Sequence, residues 1–268
     1  MNNNLVDICV NLTDKVFSGK EDAIINEANK KNVTKMVLVG NDLSSSEKCQ
    51  RLAKKYNFVS TVGYHPHNAK EWKEDSYAKL QKLIEFENVR AVGECGLDFN
   101  RNFSPPEIQH EVFAKHIDLA KESGLPLFVH ERDAFHQMYK IISENIKDCK
   151  KVVVHCFTGT KNSLEDYLSL GVYIGLTGWI CDDRRGKHLR DFINIIPDDR
   201  LLIETDSPYL SPYISSKESN ITSEMKHLNK PSYLTEIAKT LAKHRNQTYD
   251  HICDITYKNY MNFFGTDK

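Results

Sequence analysis

Eight short apolar runs rich in β-branched residues, each followed by a longer amphipathic stretch, restrict this chain to an alternating β/α architecture. They recur at intervals of roughly 20 to 36 residues, the pace of strand, helix and two connections. The runs are Leu5 to Val10, Lys35 to Val39, Phe58 to Val62, Val89 to Gly93, Leu125 to Val129, Lys151 to Val154, Val172 to Leu176, and Arg200 to Glu204. Between them lie helical patterns such as Pro106 to Ser123, where Ile108, Val112, Phe113, Ile117 and Ala120 recur near a 3.6-residue period and Gly124 supplies a stop. After the eighth run come a long polar stretch, Ser211 to Lys230, and two further helices at about Ser232 to Lys243 and Thr248 to Phe263. A loop that long in a compact domain is more often functional than idle, so a substrate-facing role is expected for it.

Eight parallel strands can form an open doubly wound sheet or close into a barrel, and the polar residues at the ends of the runs decide between them. His65 follows the third run, Glu94 the fourth, His130 the fifth, His155 the sixth and Asp206 the eighth. An open sheet spreads strand ends along a line, whereas a barrel gathers them around one mouth. Only the barrel unites these five. The first run is not followed by the G-x-G-x-x-G of a dinucleotide fold. The expected fold is a (β/α)8 TIM barrel of the metal-dependent hydrolase type, one domain over residues 1–268, a length suited to such a barrel.

Any one histidine at a strand end is more often a capping or core residue than a ligand. The conjunction of Glu94, His130, His155 and Asp206 at four strand ends matches the oxygen and nitrogen donor set of a hydrolytic metal site. Such a site polarises a phosphoryl or carbonyl oxygen and acidifies water, which serves ester or amide hydrolysis.

At these residues the chain resembles the TatD family of metal-dependent deoxyribonucleases, nearly from end to end. The motifs are Asp7-Ile8-Cys9-Val10-Asn11, Gly63-Tyr64-His65-Pro66-His67, Gly93-Glu94-Cys95-Gly96-Leu97-Asp98-Phe99, His130-Glu131-Arg132-Asp133, His155-Cys156-Phe157-Thr158-Gly159, and Glu204-Thr205-Asp206-Ser207-Pro208-Tyr209. The resemblance implies a 3'-to-5' exonuclease acting on single-stranded or frayed DNA. Glu94, His130, His155 and Asp206 match the family's metal positions, with Mg2+ the expected ion and Mn2+ or Zn2+ the alternatives. Two departures stand out. Where many barrel metallohydrolases carry His-x-His after the first strand this chain has Cys9 and Asn11, which are weak donors for a second ion. Where the family often shows Arg-Asn-Glu-Pro it has Leu228-Asn229-Lys230-Pro231, and the changed charge at Lys230 is expected either to touch substrate or to be solvated.

The remaining polar groups sort by chemistry. In the expected mechanism Asp206 accepts the proton of the attacking water, Glu94 holds the metal, and His65 and Arg132 steady the phosphate, Arg132 through a bidentate fork. His67 is a second phosphate binder or a turn histidine, Tyr209 a base-stacking residue, and Trp179 and Phe157 core residues before stacking ones. The run Asp182 to His188 would place cations near the mouth, and Cys95 and Cys156, next to proposed ligands on extended backbone, should point away and pack. Lys plus Arg (36) against Asp plus Glu (37) gives a net charge of -1, so nucleic acid would bind a local patch. The seven cysteines form no C-x-x-C pair and read as reduced thiols. The first apolar run is short and broken by Asp7, unlike a signal peptide, and no apolar stretch approaches the ~20 residues of a membrane span. A soluble cytoplasmic protein is expected, with the nucleus as the alternative compartment. The rival function is a small-molecule amidohydrolase or lactonase on the same barrel. Dinuclear enzymes of that class commonly place a carboxylated lysine where this chain has Glu94, which favours the nuclease.

Overall fold

The computed structural model describes residues 3–212 and 228–265. Its eight strands are β1 (Leu5–Val10), β2 (Val33–Leu38), β3 (Val59–Val62), β4 (Val89–Asp98), β5 (Leu127–Arg132), β6 (Val152–Val154), β7 (Tyr173–Leu176) and β8 (Leu201–Ile203). All neighbouring pairs are parallel and the spatial order is the chain order, β1 to β8. The ring closes between its first and last members through Asp206 N–H to Cys9 O (3.0 Å) and Asn11 N–H to Ser207 O (2.8 Å). Asp7, which interrupts the first apolar run, is buried and takes the N–H of Thr205 at 2.8 Å, so it ties β1 to the chain leaving β8. Burial pushes its carboxyl up to about 8.

The helices are α1 (Glu21–Asn29), α2 (Leu43–Tyr56), α3 (Ser76–Ile84), α4 (Pro106–Ser123), α5 (Phe135–Asn145), α6 (Lys161–Ser169), α7 (Lys187–Arg190), α8 (Leu234–His244) and α9 (Tyr249–Phe264). Asp42 and Thr160 start α2 and α6 with capping boxes, and Gly124 ends α4 at φ 65, the left-handed conformation that a glycine adopts without strain. The expected span of α4 agrees with the observed one. The expectation for the polar stretch from Ser211 to Lys230 falls largely on residues 213–227, which lie outside the described residues. Among the described residues no helix is long and apolar enough to cross a membrane, and all seven cysteines are free.

Period-two alternation sorts the strand residues into two layers. Leu5, Val92, Leu127, Val129, Val154 and Ile203 face the helices, whereas Val6, Ala91, Phe128, Val153 and Leu202 fill the barrel. Tyr260, Phe263 and Phe264 of α9 join the inner set. Phe263 meets Tyr173, the first residue of β7, at 5.2 Å between ring centroids, so α9 plugs the barrel at the strands' N-terminal ends. Only the C-terminal mouth is left for chemistry. Continuing the alternation one step above the inner layer gives His130, His155 and Glu204, and on β4 the register shift between Val92 and Cys95 brings Glu94 to the same level.

Two strands run further than their apolar stretches. β4 was expected to stop at Gly93, yet after a register shift between Val92 and Cys95 it keeps pairing with β5 as far as Asp98 opposite Arg132. Glu94 and His130 therefore lie within strands rather than after them. Polar side chains masked these ends from a hydrophobicity reading, because their burial is compensated at the site rather than by apolar contact.

Candidate metal centre at the barrel mouth

The site is organised around one carboxylate oxygen. Oε1 of Glu94 lies 2.7 Å from Nε2 of His155, 3.0 Å from Nδ1 of His130 and 3.3 Å from Nε2 of His65. Burial alone would push this carboxyl up, but His155, His65 and His130 together hold it well below the usual carboxylate range. His155 shifts the other way: despite burial, the charges of Glu94 and Glu204 raise it well above an ordinary imidazole.

Hydrogen-bond partners fix what each imidazole offers. Asp98, held below the usual carboxylate range against its own burial by His130 and His67, is an ionised acceptor for Nε2 of His67 at 2.7 Å and of His130 at 3.3 Å. His130 lies between two ionised carboxylates, Nε2 toward Asp98 and Nδ1 toward Glu94, and despite burial they raise it above an ordinary imidazole. On the far side of His155, Nδ1 stands 3.5 Å from Oε2 of Glu204, and the two buried atoms have no better partner among the described residues. That carboxylate favours a proton on Nδ1 and turns Nε2 inward toward Glu94. Ring nitrogens of His130 and His155 thus confront an anionic oxygen at hydrogen-bond distance. Such gaps need a proton or a cation, and a divalent ion fits this nitrogen and oxygen donor set. His65 differs, because its Nδ1 accepts the N–H of His67 at 3.0 Å, so its proton lies on Nε2. Burial, outweighing Glu94, pushes His65 well below an ordinary imidazole and keeps it neutral. It lies within ligand distance of Glu94 and His130, but as a donor it suits phosphate or water better than a metal.

Asp206 approaches from the opposite wall, with φ 56 after the end of β8. Its hydrogen-bond partners are Nδ2 of Asn11 at 3.0 Å and Sγ of Cys9 at 3.5 Å. The orientation of Asn11 is set in turn by Asn41, whose Nδ2 donates to its Oδ1 at 2.8 Å. Cys9 and Asn11, expected as weak ligands, are instead donors to Asp206. Burial raises the Asp206 carboxyl to about 7; His155 opposes this, while Glu94 and Glu204 add to it. Sγ of Cys9 also lies close enough to His155 and Glu204 to share an ion with them, but burial and the charges of Asp206, Glu204 and Glu94 push its thiol well above the ordinary range. Without a thiolate it is no ligand for a hard ion. Cys9→Ser keeps a hydroxyl donor at the same place, and Mg2+-supported turnover within a few-fold of wild type is expected in a steady-state assay. Collapse of turnover with the circular-dichroism spectrum intact would make Cys9 a ligand.

Other expectations are corrected by the contacts. Lys230 is not solvated: it is buried, and Nζ pairs with Glu27 of α1 at 3.0 Å. The cations of the 182–188 run are largely paired internally, Arg184 and Arg185 both folding onto buried Asp182 at 3.1 and 2.8 Å. Arg132 is only 3.9 Å from Asp133 and lies over the Trp179 ring at 5.0 Å, with Arg185 at 5.3 Å from the same ring. Glu131 instead accepts the N–H of Ala134. Tyr209 is half exposed, its hydroxyl donating to Asp14 at 2.6 Å, and Phe157 is core. Cys95 packs as expected, but Cys156 does not follow the alternation argument. It sits past the end of β6 at φ 48, its N–H donates to Glu204, and the charges of Asp206, Glu204 and Glu94 act on its thiol.

The sequence reading passed over Asp98, Glu204 and Asn41. Asp98 lies four residues after Glu94 and Glu204 two after Leu202, so strand alternation from a known inward residue finds both. His116 is the contrasting case of a buried histidine with a structural role. It accepts the N–H of Tyr64 at 2.9 Å, faces the carbonyl of Val112 at 2.7 Å, and is pushed down to about 4 by burial.

A closed β/α barrel with buried imidazoles and carboxylates converging at its C-terminal mouth defines a metal-dependent hydrolase. Residues 6–265 match the family described as TatD related DNase, and the chain belongs to that family. It is a nuclease-class enzyme of the metal-dependent hydrolases. It is 38% identical over 262 residues to the 3'-5' ssDNA/RNA exonuclease TatD of Enterobacter lignolyticus, covering 97% of this chain and 99% of that one. The Rahnella protein of the same name is 40% identical over 264 residues, covering 97% and 98%. Among solved structures, a TatD homologue of Escherichia coli K12 superposes with TM-score 0.88 at 26% identity over 100% of both chains. An organophosphorus hydrolase of Deinococcus radiodurans, at TM-score 0.65 and 12% identity over 98% and 92%, shares the fold alone.

Proposed function

We propose that the chain is a 3'-to-5' exonuclease on single-stranded or frayed DNA, working in the cytoplasm with Mg2+ held by Glu94, His130, His155 and Asp206. The observation that carries this reading is the single anionic oxygen of Glu94 shared by inward ring nitrogens of His130 and His155. When bound, the ion supplies charge for a non-bridging phosphate oxygen and acidifies water. Asp206, kept aimed by Asn11 and Cys9, accepts a proton from the attacking water. Neutral His65 donates from Nε2 to the phosphate, and Arg132 at the end of β5 offers its fork to a second oxygen. Asp98 holds His67 beside them as a further phosphate contact, and Tyr209 stands exposed at the rim for a base. The near-zero net charge leaves recognition to these local groups.

Single strands, duplexes and circles of DNA, together with an RNA strand, distinguish the alternatives. Terminal mononucleotides are expected at the earliest times from a 3'-labelled linear DNA strand, with Mg2+ or Mn2+ restoring activity after chelation. Internal cuts in a circular strand would contradict the exonuclease reading, and chelator-resistant cleavage would remove the metal.

A further inference from the structure

An apolar ring held rigidly in solvent at the edge of a polar cleft has a cost that packing does not explain. Phe103 is 54% exposed, more than any other large apolar side chain among the described residues. Isolated exposed apolar residues are common on protein surfaces, but they rarely sit on backbone this firmly tied. The turn that carries Phe103 is built by Asp98, whose Oδ1 accepts the N–H of Asn100 at 3.0 Å and of Arg101 at 3.1 Å. Its Oδ2 holds His67 and His130 at the same time. On the other flank Ser104 is buried, donating to the carbonyl of His67 at 2.8 Å and accepting the N–H of Lys70 at 3.0 Å. One carboxylate therefore fixes both the imidazoles of the site and the loop presenting the ring.

The ring is aimed at the site. It pairs edge-to-face with the imidazole of His67 at 4.7 Å between centroids, and the Arg101 guanidinium lies over the ring, 5.9 Å from its centroid. Phe86, another exposed ring, precedes β4 at the plugged end of the barrel, whereas Phe103 follows β4 at the mouth.

We propose that Phe103 is a stacking platform for an unpaired nucleobase next to the scissile phosphate, with Arg101 facing the neighbouring phosphate. The proposal rests on the phosphodiesterase reading of the site and deepens it, because it supplies a cause for strand selection. A base in a duplex is already stacked and paired, whereas a base on a single strand or frayed end is free to lie on the ring whatever its identity.

The test compares release of the first 3' nucleotide from two single-stranded oligonucleotides, one intact and one abasic at its last two positions. Wild type, Phe103→Ala and Phe103→Trp are assayed on both. Wild type is expected to prefer the intact strand by between about 5-fold and 150-fold in kcat/KM, mainly through KM, the range that base–aromatic stacking supplies. Phe103→Ala is expected to lose most of that preference and Phe103→Trp to keep it. A wild-type preference retained by Phe103→Ala, or an equal loss on both substrates, would overturn the platform. Hydrolysis of both strands by wild type without preference would overturn the platform alone, whereas release from neither would overturn the phosphodiesterase reading beneath it.

Discussion

Glu94→Gln is expected to lower kcat on single-stranded DNA by about 10³-fold or more, a barrier increase of about 4 kcal/mol, with little change in the unfolding midpoint. The substitution keeps size and one oxygen but removes the charge that three imidazoles share. Without that charge His155 and His130 lose a partner that raises them, and an amide NH2 can turn toward their neutral ring nitrogens, filling the gap that a cation would otherwise occupy. His155 then loses the first of the two charges that raise it and faces only Glu204. Titration calorimetry with Mn2+ should show affinity falling together with turnover. Activity within tenfold of wild type, in a variant with a normal spectrum, would take Glu94 out of the mechanism.

Most of the fold was legible because barrel strands carry an apolar signature on both faces, and the structure recovers all eight runs within a few residues. Legibility fails where burial is polar. The stretch of β4 from Gly93 to Asp98 contains two glycines, a carboxylate pair and a cysteine, and reads as a loop until its pairing with β5 is seen. The candidate site was legible for the groups that face one another, Glu94, His130 and His155, because carboxylate and imidazole at strand ends are costly unless used. The residues that aim them were harder to find. Asn11 and Asn41 act through hydrogen bonds to groups many residues away in the chain, which no periodicity encodes, and Asp98 and Glu204 follow from strand alternation only once an inward residue is known. Lys230 shows the converse, since a charge that seemed free for substrate is committed to Glu27 on α1.

The same stretch of β4 yields the second large effect. Gly96→Ala is expected to destabilise the protein by about 2–5 kcal/mol and to lower turnover on single-stranded DNA by about 10²-fold. Gly96 holds φ 133, which side chains rarely adopt, and it is paired with His130 in the β4–β5 register. A Cβ at that position would be driven into the carbonyl oxygen of His130, which is backbone and cannot swing aside. Either β4 and β5 separate or the His130 segment moves, and both displace an imidazole that must stay within about 0.5 Å of its place. Gly124→Ala isolates the positional effect. That residue also has positive φ, 65, but an added Cβ there meets nothing within 4 Å, so only about 1 kcal/mol should be lost and turnover should be unchanged. Urea unfolding and initial rates of both variants measure the contrast. If Gly96→Ala matched Gly124→Ala in midpoint and rate, the close approach of β4 to His130 would not be what places the imidazole.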